Sequence, residues 1–223
     1  MNALERPRAR HLLLHGVDWR TYSRLLRIFA ERPSIRLTYD RGTLEMMAPL
    51  HAHESDGRFL GRLAVTATEE LGLPVKAGGS TTFRRKKHAR GLEPDDCLWI
   101  ASEPMVRGKR HIDLRVDPPP DLAIEVDVAS SSLDRMSIYA VLKVPEVWRL
   151  DALGLKFFIL DTSGEYVEAA HSLAFPCIAA ADLLNHLQLR NRLDENAVIR
   201  QFREWLREHL EPRDPTTPES APA

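Results

Sequence analysis

The chain has 223 residues and a formal net charge of −1, from 31 Lys+Arg against 32 Asp+Glu; 43% of its residues are hydrophobic and 28% charged. That composition belongs to a soluble globular chain and excludes a wholly disordered chain, a collagen-like chain and a coiled-coil rod. The near-zero charge excludes a globally basic DNA coat and leaves room for a local basic face.

The length suits one domain with extensions. Two cysteines, Cys97 and Cys177, make neither a disulfide framework nor a metal motif. They read as buried free thiols in a reducing compartment. No apolar run approaches the roughly 20 residues that span a bilayer. The basic N-terminus carries only the short apolar run Leu12 to Leu14, too short for a secretory leader. A cytoplasmic protein without membrane contact is expected.

Residues 1–16 read as a loose N-terminal arm. Tyr22, Leu25, Leu26 and Phe29 recur at helical spacing and predict a helix from Trp19 to Ala30, stopped by Pro33. Ile35 to Tyr39 alternates as a strand, Asp40-Arg-Gly42 turns, and Thr43 to Met47 returns as the second arm of a hairpin. A long helix follows from about His53 to Leu71, with Phe59, Leu60, Leu63, Ala67 and Leu71 as its apolar stripe. Glu54, Gly57, Gly61 and Val65 form a second line on that helix. Two glycines one turn apart cost about 1 kcal/mol each in helix propensity, and close approach of another backbone would offset that.

Short strands are expected at 74–77, 81–84 and 95–100, then a polar loop over 102–117. The strongest strand is Asp121 to Val128, followed by a helix from about Leu133 to Lys143 that Ser130 to Ser132 can cap. Strands at 146–150, 155–160 and 165–169 and helices at 181–187 and 194–208 close the fold. The tail 211–223 has four prolines in thirteen residues and no large apolar side chain, and is expected to be disordered. The domain proper is therefore placed at 17–210. Strand–helix–strand at 121–150 and hairpins on either side give an α/β (α+β) fold around one mixed sheet.

Glu125 is the most unusual residue, because it lies inside the apolar strand Leu122-Ala-Ile-Glu-Val. Period-two alternation puts Asp121, Ala123, Glu125 and Asp127 on one face and Leu122, Ile124, Val126 and Val128 on the other. The acidic face is either solvated on an edge strand or a cluster that recruits a cation. The position between Pro120 and a crossover helix argues against an edge. Pro94-Asp95-Asp96 opens a neighbouring apolar strand and offers a second carboxylate. His51-Ala-His53-Glu54 is not a His-Glu-x-x-His zinc motif, and its histidines read as helix capping. Arg84-Arg85-Lys86-Lys87 starts the densest basic stretch. From Arg84 to Arg115 nine Lys/Arg, Lys109 and Arg110 among them, face five Asp/Glu. This is either a solvated face or a surface that tracks phosphates.

These pieces occur in a familiar order: Tyr39-Asp-Arg-Gly-Thr-Leu-Glu-Met-Met-Ala-Pro49, His53-Glu54, Gly91-Leu-Glu-Pro-Asp95, Pro120-Asp-Leu-Ala-Ile-Glu-Val126, Ser130-Ser-Ser132, Tyr139, and Val144-Pro-Glu-Val-Trp148. In them the chain resembles the Uma family of restriction-endonuclease-like proteins, within the PD-(D/E)XK nuclease superfamily. The resemblance spans roughly residues 17–205. It implies a restriction-endonuclease-like core, a mixed sheet flanked by helices, that binds Mg²⁺ or Mn²⁺ and hydrolyses DNA. Glu54, Asp95 and Glu125 match the family's helix glutamate, Pro-Asp aspartate and strand glutamate, and so become the implied metal ligands.

One departure stands out. The superfamily's lysine two residues after the glutamate is Asp127 here, and the lysine that many members carry four residues before the helix tyrosine is Arg135. Arginine cannot give up its proton, although it can hold an anionic phosphate. Either Arg135 is an electrostatic substitute, or Lys109 reaches the site, or the fold has lost catalysis and binds nucleic acid or a protein. Asp127 could add a metal ligand. Restriction-like nucleases often cut with two active sites, so a homodimer is expected by analogy.

Overall fold

The computed structural model describes residues 10–30, 35–48, 51–126 and 131–209. Among these, eleven strands form two sheets. The first joins β1 (Arg10–Leu14), β3 (Thr43–Ala48), β2 (Arg36–Asp40), β6 (Arg90–Leu92) and β5 (Phe83–Arg85), in that order and antiparallel throughout. The second runs β11 (Tyr166–Ala169), β10 (Gly154–Leu160), β9 (Glu146–Asp151), β8 (Leu122–Val126), β7 (Asp96–Trp99) and β4 (Lys76–Ala77). Its pairs are antiparallel except β8 with β9, which are parallel. A parallel pair needs a crossover, and α4 (Arg135–Leu142) supplies it as the strand–helix–strand pattern predicts. The mixed α/β class expected from the sequence is present, with its N-terminal helix and hairpin, but the one mixed sheet expected is two, because the hairpin pairs with β1, β5 and β6 in a separate antiparallel sheet.

Burial explains the order of layers. One face of the second sheet packs Leu122, Ile124, Trp148 and Phe157 against α2 (His51–Glu70), α5 (Ala180–Leu189) and α6 (Glu195–His209). The other face packs Ala123 and Val147 against Ile138, Tyr139 and Leu142 of α4 and against Phe83 and Leu92 of the first sheet. The strand β8 therefore lies in the centre of the sheet, buried on both faces, and the solvated-edge reading of its acidic side does not hold. On the first sheet, Leu37, Tyr39 and Leu44 pack against Tyr22 of α1 (Trp19–Phe29). Alternation turns Arg36, Thr38, Glu45 and Met47 the other way, towards the ends of β7 and β8.

Several expectations need correction. Residues 10–14 are not a loose arm but strand β1, which satisfies the outer edge of β3. The strand β6 and the short helix α3 (Glu103–Val106) fall where loop was expected. Asp134, not a serine, caps α4 by accepting from Ser137 N. Ser131 and Ser132 instead donate to Glu45 of β3, at 2.8 Å each. Ser130 and the tail 211–223 lie outside the described residues. Cys97 is a buried free thiol and Cys177 a half-buried one. Among the described residues, no helix is long and apolar enough to cross a membrane.

Candidate active site

The glycines of α2 mark where the site is built. A Cβ at Gly57 would meet Asp95 Cβ at 3.0 Å, and one at Gly61 would overlap Asp96 Oδ2. What approaches the helix is thus the acidic start of β7, not another backbone. This contact lays the first turn of α2, with His53 and Glu54, over Asp95. His53 does not cap the helix. It is buried, and its Nε2 donates to Asp95 Oδ2 at 2.8 Å.

Asp95 is the buried hub. Its Oδ2 also accepts from Val126 N at 2.7 Å, and its Oδ1 lies 3.4 Å from Arg36 Nη1. Burial pushes its pKa up, but the hydrogen bond and charge of His53, the charge of Arg36 and the Val126 amide outweigh burial and hold it below the ordinary aspartate value. Arg36 then extends outward, with Nη2 donating to Glu54 Oε1 at 2.6 Å and Nη1 to the Pro94 carbonyl at 2.6 Å. Arg36 is 5% exposed, whereas Glu54 is 38% exposed and open to solvent on one side.

Glu125 sits beside this hub. The β7–β8 register pairs Asp96 with Ile124, so continuing it by one residue sets Asp95 beside Glu125. On α4, Arg135 and Tyr139 are four residues apart and share one helix face. Both donate to Glu125 Oε1, Arg135 through Nη2 at 2.6 Å and Tyr139 through its hydroxyl. Arg135 also donates to Thr38 Oγ1 at 2.6 Å and to the Glu93 carbonyl at 2.7 Å. Burial raises the Glu125 pKa; the Arg135 charge lowers it, and the nearby Asp95 charge adds to the rise. Burial pulls Arg135 down, but Glu125 and its neighbours keep it firmly cationic.

Glu54, Asp95, Glu125 and Arg135 therefore lie in a network of two neighbouring ion-pair groups, Glu54 and Asp95 sharing Arg36, and Glu125 held by Arg135. The other candidates do not join it. Lys109 pairs with Asp117 and receives a bond from Lys76 on its carbonyl, so it does not reach the cluster. Arg110 is exposed in a loop. Arg84 and Arg85 lie on β5, at the edge of the first sheet, and Lys86 and Lys87 lie exposed in the single turn that follows. Asp127 lies outside the described residues. Sequence reasoning missed Arg36 and His53, and gave Tyr139 no role. The signal for Arg36 was present: it shares the polar face of its strand with Thr38.

The donor chemistry of three carboxylates suits a hard divalent cation, but their arrangement does not. Among the described residues no three Asp, Glu, His or Cys side chains come together as a set that could hold a metal ion. Each carboxylate of the cluster is already engaged by an arginine, and Asp95 by a histidine as well. Two clefts flank the network. One, of about 310 Å³, is lined by Glu125, Arg135, Ser131, Ser132, Met47 and Arg149. The other, of about 560 Å³, is lined by Glu54, Ser55, Arg58 and Arg62.

A family profile described as "Putative restriction endonuclease" (Uma2) matches residues 19–191, which include every residue of this network. The chain belongs to the Uma2 family. Uma2 membership makes it a protein of a nuclease family, as the motif order implied. Among solved structures, the chain is similar to one from Anabaena variabilis described as "a putative nuclease belonging to DUF820". The two share 16% identity over 81% of this chain and 98% of the other, with a TM-score of 0.43. No curated protein matches the chain.

Proposed function

We propose that this Uma2 chain is an endonuclease that hydrolyses phosphodiester bonds of DNA at the Glu54–Asp95–Glu125 cluster. The observation that supports this reading is that Asp95 lies beside Glu125, with Glu54 joined to Asp95 through Arg36 and Arg135 on Glu125, between two clefts. The three carboxylates and Arg135 come from α2, the start of β7, β8 and the β8–β9 crossover. Arg135 is placed to stabilise negative charge on a phosphate entering beside Glu125. Glu54, open to solvent on one side, is the carboxylate best placed to meet an attacking water. The basic residues Arg84 to Lys87, with Lys109 and Arg110, would track the phosphate backbone. Mg²⁺ or Mn²⁺, implied by the family resemblance, would supply water activation and charge neutralisation if Glu54, Asp95 and Glu125 held it. The reading includes a cytoplasmic setting, in keeping with two free thiols, and a homodimer to cut both strands.

A second reading is a nuclease fold that binds nucleic acid or a partner protein without turnover. It is favoured by the arginine partners on all three carboxylates and, among the described residues, by the absence of a lysine paired with them. Plasmid nicking with Mg²⁺ or Mn²⁺ by the wild type, set against Glu125→Ala, decides between them. Nicking that Glu125→Ala abolishes supports the first reading. Equal nicking by both proteins, or none on any DNA or RNA substrate, refutes it. DNA binding that weakens steeply with salt, without nicking, selects the second. Neutralising Arg84 to Lys87 should flatten that salt dependence by about 0.9 in log–log slope for each phosphate these side chains neutralise.

A further inference from the structure

Arg36 occupies an unusual position for a residue of a hairpin strand. At 5% exposure it is more deeply buried than Glu54, the carboxylate it pairs with. It engages Glu54 Oε1 at 2.6 Å and lies 3.4 Å from Asp95 Oδ1. The second Asp95 oxygen is taken by His53 Nε2 and Val126 N. The guanidinium therefore stands between the two oxygens that a cation shared by Glu54 and Asp95 would need. Its bond to the Pro94 carbonyl anchors it from behind, while its Nε finds no partner among the described residues.

Charge counting points the same way. With the three acids ionised and His53 neutral, Glu54, Asp95 and Glu125 carry three negative charges, and Arg36 and Arg135 two positive ones. A divalent cation added to this set leaves it net positive and close to two guanidinium groups. Without Arg36, the same cation leaves the set neutral. Like charges a few ångströms apart in a partly buried site repel strongly.

We propose that Arg36 is the resident cation of the carboxylate cluster, and that a divalent cation binds there only by displacing it from Glu54 and Asp95. The half-exposed Glu54 is the partner free to let go. This inference takes from the nuclease reading only the class of the competing ion.

The test is Mn²⁺ binding by calorimetry to the wild type, Arg36→Gln and Arg36→Lys, with circular dichroism to verify folding. Glutamine keeps a polar side chain but brings no charge; lysine keeps the charge. Arg36→Gln should bind Mn²⁺ about tenfold more tightly than the wild type or better, and Arg36→Lys within about threefold of it. A folded Arg36→Gln that binds no more tightly than the wild type overturns the proposal. Should Arg36→Gln fail to fold, Mg²⁺ titration of the ¹⁵N-labelled wild type replaces it. The Arg36 Nε–H resonance should move as Mg²⁺ is added, and a resonance that stays in place throughout overturns the proposal. The two readings fail separately. Tighter Mn²⁺ binding without nicking by any of these proteins leaves Arg36 as proposed and removes the nuclease. Nicking by the wild type with unchanged Mn²⁺ affinity in Arg36→Gln does the reverse.

Discussion

Replacing Arg135 with methionine keeps an unbranched stem of similar reach and removes a charge and three hydrogen bonds. Those bonds run to Thr38 Oγ1 at 2.6 Å, the Glu93 carbonyl at 2.7 Å and Glu125 Oε1 at 2.6 Å. The carboxylate left behind is 9% exposed, with a neutral tyrosine as its remaining partner and Asp95 beside it. Breaking a buried pair from one side costs about 3–5 kcal/mol. For a domain of this size each kcal/mol moves the melting temperature by about 2–4 °C, so Arg135→Met should melt roughly 6–20 °C below the wild type. Glu125→Gln keeps the shape and still accepts from Arg135, and should cost less, about 1.5–3 kcal/mol. In the double variant neither charge is stranded, so the two losses should fall short of additivity by about 1–3 kcal/mol.

A pH signature accompanies the loss. Burial already raises the Glu125 pKa, and without Arg135 that effect meets less opposition. A carboxyl with a raised folded-state pKa holds its proton longer in the folded than in the unfolded chain. Stability therefore falls as pH rises from the unfolded value towards the folded one. The deficit of Arg135→Met should widen between acid and neutral pH. Urea unfolding followed by circular dichroism measures all of these quantities. The reasoning is refuted if Arg135→Met lies within about 1 kcal/mol of the wild type, or if the two substitutions add within about 0.5 kcal/mol.

Two further outcomes are expected. Gly61→Ala gains about 1 kcal/mol of helix propensity but forces Asp96 aside, so it should lower stability by about 1–2 kcal/mol net, measured by urea unfolding; a stabilised variant would refute the packing account. Glu146 is fully buried, accepts from Trp148 Nε1 and Ala174 N, and has its pKa raised by burial against those bonds. The wild type should therefore lose stability relative to Glu146→Gln as pH rises above the ordinary glutamate value, and parallel melting curves from pH 4 to 8 would contradict this.

Periodicity made much of this fold readable. The helix after Pro49, the hairpin turning at Arg41-Gly42 and the β8–α4–β9 crossover all appear close to where apolar spacing puts them. Arg41 and Gly42 both adopt positive φ, 44° and 97°, as the tight turn requires. The elements that escaped are short and depend on a partner. Arg10–Leu14 has no pattern of its own and becomes a strand only because β3 has a free edge. Arg90–Leu92 is three residues long with a glycine at its centre, and is held between β2 and β5. The site divides in the same way. Glu125 stood out because it breaks an apolar strand, whereas Glu54, Asp95 and Arg135 were singled out chiefly by the family's motif order. Arg36 and His53 were not, because alternation assigns a side chain to a face without saying what will cover that face.

The covering of that face is what brings the hairpin sheet to the carboxylates. Its apolar side needs only α1 and a small aromatic group around Tyr22 and Tyr39, whose rings stack at 4.6 Å. Its polar side delivers Arg36 to Glu54 and Asp95, Thr38 to Arg135, and Glu45 to Ser131 and Ser132. All three hold the carboxylates or the crossover segment that carries Arg135. A carboxylate cluster at this depth cannot stay uncompensated, and in this chain the compensation comes from arginines fixed by two different sheets and a crossover helix. The charge balance of the cluster therefore depends as much on the hairpin, through Arg36, as on the strands that hold the acids.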